Sequence, residues 1–266
     1  MFQSMDTEVN GLGFHYMRGG AGQPLILLHG VTDNGECWGR TAEALAMNYD
    51  VILLDQRGHG TSSAPEAGYH LDDFANDVQG LIEALGLDNV TLIGHSLGAS
   101  VALRVAANKH TNLSKIILID PPLPDTPEIE DATSRYEWFG WLRDLKQMTK
   151  TQLIHHQSKE APHWSSEEID AWAESKLQAS QYLWGDNGLV LDTHWRDEMR
   201  EVDNLPVQLI YGDMGMGSII SPKIANEAQA ILQNGTVVKI DSAGHSIHRD
   251  KYEATIETIQ AFLQRE

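Results

Sequence analysis

The chain has 266 residues, of which 41% are hydrophobic, enough for one large core with an inserted subdomain but too few for two full independent domains. Its 38 acidic and 19 basic side chains give a formal charge of −19, which repels nucleic acid phosphates and anionic membrane surfaces. We therefore predict no nucleic acid partner and no membrane partner.

The cysteine content and the first residues bear on the compartment. A single cysteine, Cys37, excludes an internal disulfide and a cluster of thiolate metal ligands. Residues 1–8 lack the basic end and the apolar stretch of a secretion signal, and no window reaches the ~18 apolar residues of a membrane span. We expect a cytoplasmic protein.

The predicted elements alternate between strands and helices. Residues 7–18 are polar and interrupted by glycines, which predicts an antiparallel hairpin at a sheet edge. Residues 71–85 carry apolar side chains at helical spacing and end before Gly86. Together with the hairpin, six short apolar runs predict an eight-stranded, mostly parallel α/β sheet flanked by helices. These runs are residues 24–28, 50–54, 90–93, 115–119, 206–211 and 236–240.

A serine between two glycines follows the third apolar run. Residues 90–98 read Val-Thr-Leu-Ile-Gly-His-Ser-Leu-Gly, and the small residues 99–107 after them predict a helix. A strand that turns sharply into a helix brings backbones close together, so Gly94 and Gly98 fit the turn. Ser96 is therefore the candidate nucleophile. The alternative is an ordinary serine in a strand-to-helix turn.

The alternation of predicted strands and helices stops after residue 119. The sequence Asp-Pro-Pro-Leu-Pro at 120–124 ends the strand, and no further apolar run of strand length appears before residue 206. We predict a helical cap over residues 122–204, inserted between two parts of a core at 1–121 and 205–266. Aromatic rings can both hold an insertion onto a core and line a pocket, so we expect two or three of them to face a substrate. Six of the seven tryptophans lie in this stretch, at 138, 141, 164, 172, 184 and 195.

A nucleophilic serine needs an imidazole to take its proton and a carboxylate to orient that imidazole. His245 follows the last predicted strand, where Gly244 allows a loop to deliver the ring over the sheet edge. His248 is the competing histidine, and we expect it to contact solvent or the cap. His155 and His156 are adjacent, which is not a metal-ligand spacing, so we predict no metal and no cofactor.

Taken together, these motifs resemble the α/β-hydrolase fold superfamily. The resemblance covers the whole chain outside the cap and implies an oxyanion hole formed by the backbone N–H groups of Val31 and Leu97. The matching segments are residues 94–98, which resemble the nucleophile elbow, His29-Gly30, which resembles the oxyanion loop, residues 55–62, which resemble the turn after the fourth strand, and Gly244-His245, which resembles the histidine loop.

The acid departs from the common family pattern. Most members carry it after the seventh strand in a Gly-x-x-Asp arrangement, but residues 212–215 place Gly215 at that position. Asp120 stands at the end of the sixth strand, where haloalkane dehalogenases and zearalenone-type lactonases carry theirs. A residue before proline favours extended geometry, so we expect Asp120 to point off the strand end. We select Asp120 as the acid and keep Asp213 as the alternative.

The resulting functional prediction is a serine hydrolase that cleaves a carboxylic ester or lactone through an acyl-enzyme. Dehalogenases and epoxide hydrolases carry aspartate in place of Ser96 and are disfavoured. Carbon–carbon bond hydrolases, thioesterases and perhydrolases share the serine, and a non-catalytic or slow small-ligand receptor on the same fold also stays open. The predicted partner is a small-molecule ester or lactone; no oligomeric state is predicted.

Overall fold

The computed structural model describes residues 1–109, 113–125, 132–202 and 204–265. Eight strands form one sheet: β1 Gln3–Val9, β2 Leu12–Gly20, β3 Pro24–Leu28, β4 Asp50–Leu54, β5 Val90–His95, β6 Leu113–Ile119, β7 Val207–Tyr211 and β8 Gly235–Lys239. Their order across the sheet is β1-β2-β4-β3-β5-β6-β7-β8. The β1–β2 and β2–β4 pairs are antiparallel, whereas the remaining pairs are parallel. The predicted α/β fold class is confirmed.

Helices cover both faces of the sheet, and five of the described helices lie between β6 and β7 in the sequence. They are α1 Gly39–Leu45, α2 Leu71–Ala84, α3 Leu97–Asn108, α4 Ala132–Trp138, α5 Gly140–Leu145, α6 Lys150–Glu160, α7 Ser166–Gln178, α8 Trp195–Glu201, α9 Pro222–Ile231, α10 Ile247–Asp250 and α11 Tyr252–Leu263. The helices α4 to α8 lie within the predicted cap, whose boundaries at 122 and 204 stay a prediction. Within the described ranges, no helix is long and apolar enough to cross a membrane.

The hairpin forms as predicted, with longer strands than expected. Asn10 and Gly11, at φ 54° and 79°, make the turn between β1 and β2. Two successive residues at positive φ give a turn whose twist matches that of the flanking strands, and asparagine followed by glycine tolerates it best. The hairpin pairs with β4 and so extends the parallel part of the sheet at one edge.

The apolar runs are continuous because the central strands are buried on both faces. Alternation along β3 sends Ile26 into the core beneath α2 and α3, and sends Leu25 into the core beneath α1 and α11. Parallel strands end at a common edge of the sheet. His29, Ser96 and Asp120 directly follow β3, β5 and β6, so the topology gathers them at this edge.

Candidate active site

Ser96 lies in a strained turn between β5 and α3. Its backbone has φ 52° and ψ −117°, a region that residues other than glycine seldom adopt. A Cβ atom at Gly98 would overlap the carbonyl oxygen of Leu28 in β3, and one at Gly94 would overlap the carbonyl of Gly98. The close approach of α3 to β3 therefore requires Gly98, and its close approach to β5 requires Gly94. Ser96, the residue directly before α3, is 8% exposed.

Asp120 and His245 form a hydrogen-bonded pair. Asp120 Oδ2 lies 2.7 Å from His245 Nδ1. Ser218 Oγ donates to the other oxygen of this carboxylate at 2.7 Å, and the Ile219 N–H donates to Oδ2 at 3.0 Å. An ionised carboxylate only accepts hydrogen bonds, so the proton of a neutral His245 sits on Nδ1 and leaves the Nε2 lone pair free. The fully buried Asp120 is thus anchored on both oxygens.

The backbone of Asp120 differs from the expectation. The residue has φ 44°, so the prediction of extended geometry before Pro121 is wrong. Its N–H donates to the carbonyl of Ile210 at 2.8 Å, and the loop at 218–219 holds its carboxylate. These tertiary contacts outweigh the local preference of a residue before proline. The side chain nevertheless leaves the end of β6 toward His245.

The alternative acid, Asp213, lies elsewhere. Its carboxylate pairs with Lys239 and accepts the Ser242 N–H at 2.5 Å, and none of its described contacts reaches His245. The hydrogen bond from Lys239 lowers the pKa of Asp213. Asp213 therefore fastens the loop after β8 to the loop after β7, and Asp120 is the carboxylate beside the imidazole.

A cavity of about 320 Å³ joins the candidate residues. Ser96 and His245 line it together with Val31 and Leu97, the two residues expected to form an oxyanion hole. The N–H of Leu97 is the first of α3, and the first N–H groups of a helix have no partner within it. Three cap rings, those of residues 138, 141 and 172, line the same cavity, in line with the number expected. A more open cavity of about 550 Å³, between α4 and residues 181–186, shares none of these described lining residues.

Buried polar contacts hold the loop after β3. The Gln56 N–H donates to His29 Nε2 at 3.1 Å, so the His29 proton is on Nδ1, which donates to the carbonyl of Gly30 at 2.8 Å. Burial lowers the pKa of His29 and keeps it neutral. Thr32 has φ 69°, and its carbonyl accepts a hydrogen bond from Lys176 Nζ at 3.1 Å. The loop that carries Val31 is therefore fixed from both the core and the cap.

Two further histidines lie beside His245. His95 Nε2 donates to the backbone carbonyl of His245 at 2.9 Å, and the two rings lie 4.8 Å apart. His248 is expected to contact solvent or the cap; it is 2% exposed, so the solvated alternative is wrong, and the rings beside it are those of Trp38 and His95, outside the predicted cap. Burial, together with neighbouring positive groups, lowers the pKa of both His95 and His248 well below the usual value. Both are neutral packing partners of the His245 loop.

A buried ion cluster on the cavity wall was not predicted from the sequence. Asp33 pairs with Lys176 at 2.7 Å and with Arg249, and all three residues line the cavity. Burial alone would raise the pKa of Asp33, but the two cations hold it well below its usual value. Arg249 lies four residues after His245, but no sequence pattern pointed to Lys176, because the cap follows no recognisable motif.

Comparison with known proteins decides the family. A family model described as alpha/beta hydrolase fold matches residues 23–252. The chain belongs to this family. It is 30% identical over 264 residues to N-formylmaleamate deformylase of Pseudomonas putida, and the aligned region covers 97% of this chain and 95% of the relative. It is 25% identical over 272 residues to 2-(acetamidomethylene)succinate hydrolase of Mesorhizobium japonicum, covering 98% of this chain and 95% of the relative.

A solved structure gives the same result for the fold. The crystal structure of E-2-(acetamidomethylene)succinate hydrolase superposes with a TM-score of 0.84 at 24% identity, over the full length of both chains. The family and these full-length relatives support a hydrolase. Neither relative is named for an ester or a lactone, so the comparisons favour another bond type, as left open above, over the ester or lactone prediction.

Proposed function

We propose that this chain is a serine hydrolase that cleaves an amide-like acyl–nitrogen bond of a small substrate through an acyl-enzyme. The observation that carries the proposal is the 2.7 Å hydrogen bond between Asp120 and His245 at the cavity that Ser96 lines. The bond type is inferred from the relatives, whose names specify removal of an N-formyl group and hydrolysis of an acetamido compound.

In the first step, Ser96 Oγ attacks the acyl carbon and its proton passes to His245 Nε2. The Asp120 carboxylate stabilises the imidazolium that forms, because it accepts a hydrogen bond from the Nδ1–H group and stays ionised. The carbonyl oxygen becomes an oxyanion, to which the N–H groups of Val31 and Leu97 donate hydrogen bonds. A single donor of this kind is worth about 3–4 kcal/mol in the transition state.

In the second step, the intermediate collapses and the substrate nitrogen leaves with the proton from His245. Water then gives a proton to His245 and attacks the acyl-enzyme, and the acid is released as Ser96 regains its hydrogen. The cavity of about 320 Å³ suits a small substrate, whose apolar part would pack against Trp138 and Trp141.

Esters and lactones fit the same steps, because an alkoxide is a better leaving group than an amide nitrogen. We therefore expect turnover of activated aryl esters as a side activity. Carbon–carbon bond hydrolysis is a second candidate that uses the same three side chains, but its leaving carbon must be protonated. Identification of the products separates these bond types, and multiple turnovers separate an enzyme from a receptor.

The decisive experiment compares Ser96→Ala with Ser100→Ala on N-formyl and N-acetyl enamides and on 4-nitrophenyl acetate. Ser100 is buried one turn further along α3 and takes no part in the proposed chemistry, so it is the matched control. We expect Ser96→Ala to lower kcat by about a thousandfold or more with unchanged circular dichroism, and Ser100→Ala to keep most of the activity. Wild-type turnover by Ser96→Ala would overturn the proposal.

A further inference from the structure

We propose that the cavity binds a carboxylate of its substrate at Arg249, so that the enzyme selects small N-acylated acids over neutral amides. This inference rests on the proposed function, since it names the substrate class of the same site. It is carried by the buried ion cluster of Asp33, Lys176 and Arg249 described above.

The charged groups lining the cavity are unbalanced. Lys176 and Arg249 supply two positive charges and Asp33 supplies one negative charge, while all three are more than nine-tenths buried. The negative charge of Glu168, which is also buried, raises the pKa of Arg249. Glu168 does not line the cavity, and its carboxylate accepts the Ser165 N–H at the start of α7. With Glu168, the buried cluster carries two positive and two negative charges, so an anion in the cavity is favoured by unpaired donors on the cavity wall and not by excess charge.

The hydrogen-bonding capacity of the two cations differs. Lys176 Nζ donates to the carbonyl of Thr32 at 3.1 Å, to Asp33 Oδ1 at 2.7 Å and to Ser175 Oγ at 3.3 Å, which uses its three protons. Arg249 donates through Nη2 to Asp33 and through Nε to His248 at 3.2 Å. Its Nη1 makes no hydrogen bond to any residue that the structure describes. Arg249 therefore retains donors for a ligand, whereas Lys176 does not.

The setting of Arg249 suits a carboxylate. Its guanidinium carbon lies over the Trp164 ring, 4.7 Å from the ring centre. A guanidinium edge matches a carboxylate with two parallel hydrogen bonds. Since Arg249 and Ser96 line one small cavity, a carboxylate held at Arg249 places the rest of a small molecule beside the nucleophile. Lys176 then acts by keeping Asp33 paired.

The test measures competitive inhibition of 4-nitrophenyl acetate hydrolysis by succinate and by succinamide, which match in shape and differ in charge. We expect the wild type to bind succinate at least tenfold more tightly than succinamide. We expect Arg249→Gln to reduce this preference to about twofold or less. Arg249→Lys keeps the charge but loses the planar pair of N–H donors, so it should give an intermediate value. Arg40→Gln, at an exposed pair with Glu253, is the matched control and should keep the wild-type preference.

The ratio of the two inhibition constants is insensitive to a general loss of activity. Equal binding of succinate and succinamide by the wild type would overturn the inference, as would an unchanged preference in folded Arg249→Gln. These results would leave the proposed function intact if Ser96→Ala is inactive. Hydrolysis of the ester by Ser96→Ala would instead refute the proposed function, and calorimetric titration of the wild type with the two ligands would still decide the carboxylate site.

Discussion

Asp120 is an example of a residue whose role is set by contacts distant in sequence. His245, Ser218 and Ile219 all donate to its carboxylate, and they come from two different loops. Replacing this carboxylate by an amide would let the side chain donate to His245 Nδ1, which favours the wrong tautomer for the proposed base. The same change at Asp213 would weaken its contacts with Lys239 and with the Ser242 N–H, neither of which involves His245.

The residues of the candidate site differ in how clearly the sequence indicates them. Ser96 and His245 could be selected because adjacent glycines indicate sharp turns, and turns at strand ends expose side chains at one sheet edge. Asp120 could be selected only as the better of two carboxylates. Ser218 carries no signal, because its contact with Asp120 depends on how a loop folds 98 residues further along the chain.

At the scale of elements, the contact between α3 and β3 depends on glycine. We predict that Gly98→Ala lowers the free energy of unfolding by about 2–4 kcal/mol, because the added methyl group would overlap the Leu28 carbonyl and push the helix off the sheet. Urea unfolding measures this change. Gly215→Ala is the control, since nothing lies within 4 Å of a Cβ there, and it should change stability by less than about 0.5 kcal/mol. Equal stability of both variants would contradict this packing argument.

The strands and the cap differ in how well they could be predicted. The central strands of the parallel sheet are buried on both faces and so read as apolar runs, and the runs predicted all six strands within two residues at each end. The cap helices carry mixed polar and aromatic residues, and part of their apolar surface packs in a small separate cluster that includes Leu145, Leu153 and Trp172. The contact of Lys176 with Asp33 joins residues 143 positions apart, and no local pattern specifies such a pair.

At the scale of the whole molecule, buried histidines make stability depend on pH. Burial lowers the pKa of His59 to about 3, and burial also lowers those of His29, His95 and His248. The folded protein keeps these rings neutral, whereas the unfolded chain takes up protons below about pH 6.5. Their stabilisation is therefore present above pH 6.5 and is lost as the pH falls. His15 acts in the opposite direction, because the hydrogen bond that it donates to the Asp55 carboxylate raises its pKa.

We predict that the free energy of unfolding falls steeply between pH 7.5 and pH 5, with His59 alone accounting for about 2 kcal/mol of the loss. Urea unfolding of the wild type and His59→Asn at both pH values measures this share. Asparagine can keep the hydrogen bond that His59 Nδ1 makes to the carbonyl of Arg57 but does not titrate. The variant should therefore lose about 2 kcal/mol less than the wild type; an identical pH dependence would refute this assignment.

The measurement that tests the central claim most directly is the rate at which a fluorophosphonate labels Ser96, followed by intact-protein mass spectrometry and peptide mapping. We predict a single adduct on Ser96, formed about a thousandfold or more slowly in Asp120→Asn and within about threefold of the wild-type rate in Asp213→Asn. Labelling at another residue, or a slow rate in Asp213→Asn with a normal rate in Asp120→Asn, would contradict the account.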